Sequence, residues 1–222
     1  MTTIPHVIDG ALIETNWGNL VADEVNSHAA AALYRVGTDA QRLALTGVPT
    51  GMRFLTTDTR RDWAYLAGTW ALIGGALPYA DLGRAAVLAL ASGPPTAFDW
   101  TDEFSDIDAL HGPSNLTRVT IPAGLAGRWR FTYWIRWEPL ASAQYLETWI
   151  RVNAAADAPA NRVAYSITGD VANTSSAGSC ELVLATGAFV ELIAVQGSSA
   201  SAARSTNNSA MPRLQVQYVG PS

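Results

Sequence analysis

The chain has 222 residues, 49% of them hydrophobic and only 15% charged, which excludes a disordered polymer and leaves room for one large core plus a small module. Its net charge of −5 excludes wholesale attraction to nucleic acid or to an anionic membrane. All fourteen basic residues are Arg, a bias that folding does not demand and that a GC-rich genome would produce. The single cysteine, Cys180, cannot form an intrachain disulfide, and within Cys180-Glu181-Leu182-Val183-Leu184 it reads as a small packed thiol on a strand.

Residues 1–36 form an opening segment. Leu12, Ile13, Trp17, Leu20, Val21 and Val25 recur at three- and four-residue steps, with Glu14, Asp23 and Glu24 between them. That pattern predicts a short amphipathic helix, weakened by Gly18. One such helix cannot bury its own stripe and needs a partner. Met1-Thr2-Thr3-Ile4-Pro5 lacks the basic-then-apolar order of a signal peptide, so synthesis in a cytoplasm is expected. No apolar run approaches the roughly 20 residues that cross a bilayer, so no membrane insertion is expected.

Residues 37–75 turn to β signals. Gly51–Thr56 is one strand, and Trp63-Ala64-Tyr65-Leu66 and Thr69–Ile73 flank a hairpin turn at Ala67-Gly68. Residues 76–95 read as a linker and first strand, marked by Gly74-Gly75, Pro78 and Pro94-Pro95. Within it Arg84–Leu90 fits a strand or a helical turn equally well.

From residue 96 onward, strand candidates recur at Thr117–Ile121, Arg128–Trp137, Tyr145–Val152, Arg162–Thr168, Cys180–Ala185, Phe189–Gln196 and Arg213–Val219. The run at 128–137 is the most informative. Trp129, Phe131, Tyr133, Ile135 and Trp137 occupy one face, while Arg128, Arg130, Thr132, Trp134 and Arg136 occupy the other. Seven or eight short strands at this spacing predict a mostly β chain ending in a sandwich or jelly roll. Turns rich in Gly, Asn, Ser and Ala separate them, and Gly197–Ser209 reads as a polar surface loop. Asn115-Leu116-Thr117 and Asn173-Thr174-Ser175 match a glycosylation sequon, set aside without a secretion signal.

No enzyme is read from the residues. Asp99, Asp102, Glu103, Asp106 and Asp108 crowd ten residues, yet they lack the spacing of a calcium loop, and a solvated acidic loop is the expectation. His6, His28 and His111 form no zinc pattern, His111 reads as a turn residue, and no metal or cofactor is expected. Neither a nucleophile elbow nor a phosphate-binding Gly loop occurs. Glu138, Glu147, Glu181 and Glu191 could meet in space as a glycosidase pair, but strand alternation reads each as solvent-facing.

Ala97–Asp106 and Asn115–Gly124 resemble the opening of the C1q/TNF-like jelly-roll domains found on bacteriophage fibres. The matching positions are Phe98, Asp99, His111, Arg118, Ile121, Pro122, Gly124 and Gly127, followed by the aromatic strand from Trp129. Thr186-Gly187-Ala188-Phe189-Val190-Glu191-Leu192 matches a late Gly-Asp-x-Val-x-Leu strand of that family, with Ala188 in place of the Asp. Asp9-Gly10, Trp17, Asp58, Trp63 and Trp70 look like the adaptor and β modules of phage minor tail or fibre proteins.

The resemblance covers residues 96–222 and implies a C1q/TNF-like jelly roll, a homotrimer and a place on a virion. It implies a tail or baseplate fibre slightly ahead of a head fibre, displaying the jelly roll for attachment to the host surface. The residues offered to the trimer interface are Trp129, Phe131, Tyr133, Trp134, Trp137, Trp149 and Tyr218, with Trp134 the anchor on the cationic face. The stripe Leu12, Ile13, Trp17, Leu20, Val21 and Val25 would dock the fibre to other virion proteins. Loops at 138–144, 153–161, 169–178 and 197–211 would meet the receptor, a host cell-surface glycan being one partner class. Gln144, Asn153, Asn173, Ser199, Arg204 and Asn207 are their candidate contacts. Rival readings are a lectin-like module acting off the virion and, behind it, a polysaccharide depolymerase.

Overall fold

A computed structural model describes residues 33–137, 143–154, 162–168, 175–198, 204–205 and 211–221. The docking stripe from Leu12 to Val25 lies outside the described residues. The chain divides into two compact units between Ala76 and Leu77.

In the first unit, β1 (Tyr34–Gly37) pairs in parallel with β2 (Arg53–Thr56), so a strand spans the boundary expected at 36/37. Between them lies α1 (Asp39–Leu43). Thr38 caps it by accepting from the Gln41 N–H, and the Gln41 side chain accepts from the Thr38 N–H in return. β3 (Arg61–Leu66) and β4 (Thr69–Gly75) complete an order β1-β2-β3-β4. Their turn is the expected Ala67-Gly68, with both residues at positive φ as a tight hairpin turn needs. Met52, Phe54, Trp63 and Leu72 are buried. Arg42 is fully buried too, its guanidinium 3.8 Å from the Trp63 ring centre and its Nε 2.8 Å from Asp39.

The second unit is a sandwich of two sheets. The chain supplies β5 (Tyr79–Gly83), β6 (Ala89–Leu90), β7 (Thr96–Ala97), β8 (Asp102–Asp106), β9 (His111–Gly112) and β10 (Asn115–Thr120). Then come β11 (Gly127–Arg136), β12 (Ala143–Val152), β13 (Val163–Thr168), β14 (Ser175–Leu184), β15 (Phe189–Ser198), β16 (Arg204–Ser205) and β17 (Arg213–Gly220). The first sheet runs β13-β12-β15-β10-β9, with β7 also beside β15, and the second runs β14-β11-β17-β5-β8. Successive long strands change sheets at β10–β11, β11–β12, β13–β14, β14–β15 and β15–β17. That interleaving is a jelly roll.

Two elements differ from expectation. Within the 76–95 linker and first strand, the long strand falls at 79–83 rather than over Arg84–Leu90, paired with β17 from Tyr79↔Gln217 to Gly83↔Arg213. The acidic stretch is a strand too, β8 pairing with β5.

Alternation along β11 builds the core. Trp129, Phe131, Tyr133, Ile135 and Trp137 are at most 1% exposed, whereas Arg128, Arg130, Thr132 and Trp134 face outward. Across from them the first sheet turns Leu146, Thr148, Ile150, Leu192 and Ala194 inward. Tyr133 reaches across the gap. Its hydroxyl donates to the Ala164 carbonyl at 2.7 Å and sits 3.0 Å from Thr148 Oγ1, linking β11 to β12 and β13. Burial pushes that phenol's pKa upward. Gly178 makes room for the link, since a Cβ there would lie 2.7 Å from both the Ala164 oxygen and the Tyr133 ring.

Tyr133→Phe leaves a buried carbonyl and hydroxyl short of a partner, so we expect a loss of about 1–3 kcal/mol in urea unfolding. Gly178→Ala should destabilise as well. An unchanged midpoint for both variants would show that the inter-sheet bond is not made.

Candidate functional site

The outward face of the second sheet carries the residues suited to contact. β11 lies between the edge strand β14 and β17, one strand in from the edge of the sheet. Trp134 is 36% exposed, opposite Ala177 on β14 and Arg213 on β17. Ala177 is too small to cover the indole, which leaves one flank open. Around it, Arg130 is paired with Glu181 at 2.5 Å, and Thr132 meets Ser179 at 3.0 Å. Arg213 holds Asp81 at 2.5 Å and lies 3.9 Å over the ring of Phe104, itself 50% exposed. Aromatic and guanidinium groups are set here among neutral Gln215 and Gln217, a composition suited to contact.

The seven residues offered to an interface separate cleanly. Trp129, Phe131, Tyr133, Trp137 and Tyr218 are 0–1% exposed inside the sandwich of a single chain. Trp149, also 1% exposed, packs with Ile193 and Val195 on the opposite side of the first sheet from Leu146 and Ile150. These six have no free surface to give to another copy, so of the seven only Trp134 is exposed. Their large rings are consumed by the protomer's own packing. Exposed apolar side chains that the sequence reading missed are Tyr165 and Ile167 on β13 and Val183 on β14. Both strands are sheet edges, which no local pattern in the sequence announces.

Of the proposed receptor contacts, Asn153 is exposed just past β12, with its Oδ1 accepting from the Phe189 N–H at 2.9 Å. Gln144 belongs to β12 and Arg204 to β16, which pairs with β6 through Arg204↔Leu90 and Ser205↔Ala89. Asn173, Ser199 and Asn207 lie outside the described residues. Strand β14 begins at Ser175, so the third loop is shorter than expected.

The acidic run is engaged locally. Asp99 pairs with Arg84 at 2.5 Å, and Asp102 accepts from the Ala85 N–H and from Thr101. The Ala85 N–H, then Thr101, hold the Asp102 carboxyl below its usual range. Asp106 accepts from the Leu110 and His111 N–H groups, and burial raises its pKa despite them. His111 is buried rather than set on an open turn. Its Nδ1 lies 2.6 Å from Glu103, and its Nε2 donates to the Leu116 carbonyl at 3.1 Å. Among the described residues, no three His, Cys, Asp or Glu side chains are grouped to hold a metal.

Glu191 overturns its solvent-facing reading. It is 4% exposed, with Arg118 Nε at 3.2 Å on one carboxylate oxygen and Arg151 Nη2 at 2.7 Å on the other. Glu147 pairs with Arg162 at 2.7 Å, and Glu181 stays half-exposed with Arg130. Cys180 joins the inward set of β14, and burial pushes its thiol up to about 11.

No family model and no curated protein matches the chain. Solved structures similar to it include the globular domain of zebrafish complement 1qA, at 12% identity and TM-score 0.49, covering 66% of this chain and all of that one. Murine APRIL at pH 5.0 aligns at 10% identity and TM-score 0.45, covering 64% of this chain and 99% of that one. Eiger TNF from S. frugiperda aligns at 9% identity and TM-score 0.45, over 66% of this chain and 94% of that one.

At pH 8 a thiol with a pKa near 11 is only about one-thousandth ionised, against roughly a quarter for an ordinary cysteine. Iodoacetamide should therefore label Cys180 roughly a hundredfold more slowly in the folded chain than in urea. Equal rates would place the thiol in solvent.

Proposed function

We propose that this chain is a homotrimeric bacteriophage fibre protein whose jelly roll is displayed for attachment to the host surface. The observation that carries the reading is Trp134, which the fold leaves 36% exposed on the arginine-bearing outward face of the second sheet. The described residues of one protomer include nine other large aromatic side chains buried below 2%, so the fold has ample means to cover one more. Trp beside Arg on an exposed sheet face is the composition of an interface anchor. Tyr165 and Ile167 supply a second apolar surface on the outward face of the first sheet, at its β13 edge. A face on one copy and an edge on the next form a heterologous contact, which closes into a ring when its rotation closes and runs on as a filament when it does not.

The virion role rests on the sequence resemblance in residues 97–124 and on the adaptor-like opening segment. In this reading residues 1–36 dock the fibre and tail placement is favoured. Attachment falls to loops at the sandwich ends, where three weak copies of one site gain by engaging a surface together.

The wild-type chain should sediment as a trimer at micromolar concentration. Trp134→Glu should shift it to monomer without changing the far-ultraviolet circular dichroism. An anchor of this kind is worth about 2 kcal/mol or more, roughly thirtyfold in dissociation constant. Mass spectrometry of purified particles should find the chain. A wild type that stays monomeric at every concentration would sink the trimer, and particles lacking the chain would sink the virion role.

A further inference from the structure

The Trp134 face holds more guanidinium groups than carboxylates. Arg128, Arg130 and Arg136 of β11 and Arg213 of β17 stand there against Glu181 and Asp81. A neighbouring copy offers that face two surfaces with exposed apolar side chains, and charge chooses between them. Tyr165 and Ile167 share the first with Arg162, Arg151 and Arg118, set against Glu147 and Glu191. Arginine is in excess on both sides of that pairing, and like charges brought together cost free energy.

The second surface is the edge where β8 and β9 meet. Ile107 is 66% exposed there and Leu116 is 38% exposed. From Asp102 to Asp108 the chain has four carboxylates, Asp102, Glu103, Asp106 and Asp108, and no basic residue. His111 ties the edge into one frame. Its backbone N–H and that of Leu110 donate to Asp106, its Nδ1 meets Glu103, and its Nε2 donates to the Leu116 carbonyl. The carboxylates and the two apolar side chains are thereby held together rather than on separate loops.

We propose that the Trp134 face of one copy packs on the acidic β8–β9 edge of the next. The inference rests on the trimer reading and names the surface that receives its anchor. Excess guanidinium meets excess carboxylate, while Trp134 meets Ile107 and Leu116. Topology permits it. In the order β14-β11-β17-β5-β8, three strand spacings separate β11 from β8, about 14 Å. β8 ends the second sheet and β9 ends the first, on the side of the sandwich away from β14 and β13. One protomer can therefore give its face to one neighbour and its edge to another, as a head-to-tail contact requires.

The test is sedimentation of the full chain with charge reversals, each checked for folding by circular dichroism. Arg128→Glu and Asp108→Arg should each raise the trimer's dissociation constant roughly tenfold, and the double variant should recover most of the loss. In the wild type, raising sodium chloride from about 0.05 M to about 0.5 M should weaken the trimer, because salt shortens the reach of the charges. This second measurement needs no variant. A trimer indifferent to salt and to both reversals would overturn the edge assignment and leave the trimer standing. So would one broken by Tyr165→Glu but not by Asp108→Arg, which would seat Trp134 on β13. A wild type that never assembles would overturn the trimer reading and this inference together.

Discussion

One strand keeps two incompatible chemistries a backbone's width apart. Along β11, every ring but that of Trp134 projects to one side and the guanidinium groups to the other, and a slip of one residue would exchange them. Burying Arg128, Arg130 and Arg136 while exposing Trp129, Phe131 and Tyr133 would cost many kcal/mol, so the register has one solution. The ten-residue pairing from Gly127↔Leu184 to Arg136↔Ser175 follows from it. The Tyr133 hydroxyl then carries that register into the other sheet, because only the inward set can reach Thr148 and Ala164.

A chain without lysine solves its charge problems through stacking. Arg42 lies over Trp63, Arg118 over Phe189 at 4.0 Å, Arg162 over Trp149 at 4.2 Å and Arg213 over Phe104. A planar, weakly hydrated guanidinium can do this while keeping its edge for a carboxylate, as Arg162 does with Glu147 and Arg213 with Asp81. A compact ammonium would give up one contact for the other. Glu191 is the extreme case: buried on β15, it is tolerable because Arg118 and Arg151 each take one of its oxygens. Removing either arginine would leave a buried charge half-compensated.

What could be read from the sequence was the set of strands whose alternation is strong. The Ala67-Gly68 hairpin and the strands around 128–137, 145–152, 189–196 and 213–219 were legible because one buried face imposes a period of two. Other elements were hidden for identifiable reasons. β5 follows Pro78 and contains Asp81 and Gly83, which look like a connection until Arg213 is seen to satisfy the aspartate. β8 looked like a solvated loop because its carboxylates are satisfied by backbone N–H groups and His111, partners that no spacing rule predicts. α1 was legible in principle from the Thr38-x-x-Gln41 capping box, yet five residues show no hydrophobic period. Alternation also cannot say what a face is buried against. Trp129 and Trp134 are both aromatic members of one strand, and only the packing of the other sheet separates the buried ring from the exposed one.

That separation shapes the proposed assembly. In a sandwich the sheet faces and the loop ends point along different directions, so a contact centred on Trp134 does not compete with recognition at the loops. The scaffold residues that fix β11 are buried and intolerant of change, whereas Asn153, just past β12, is exposed and held to the scaffold by the Phe189 N–H. Changes there would leave the register, the Tyr133 link and the arginine face untouched. On the proposed reading, a fibre head would change its loop contacts without changing the Trp134 face, because the two fall on different surfaces of one fold.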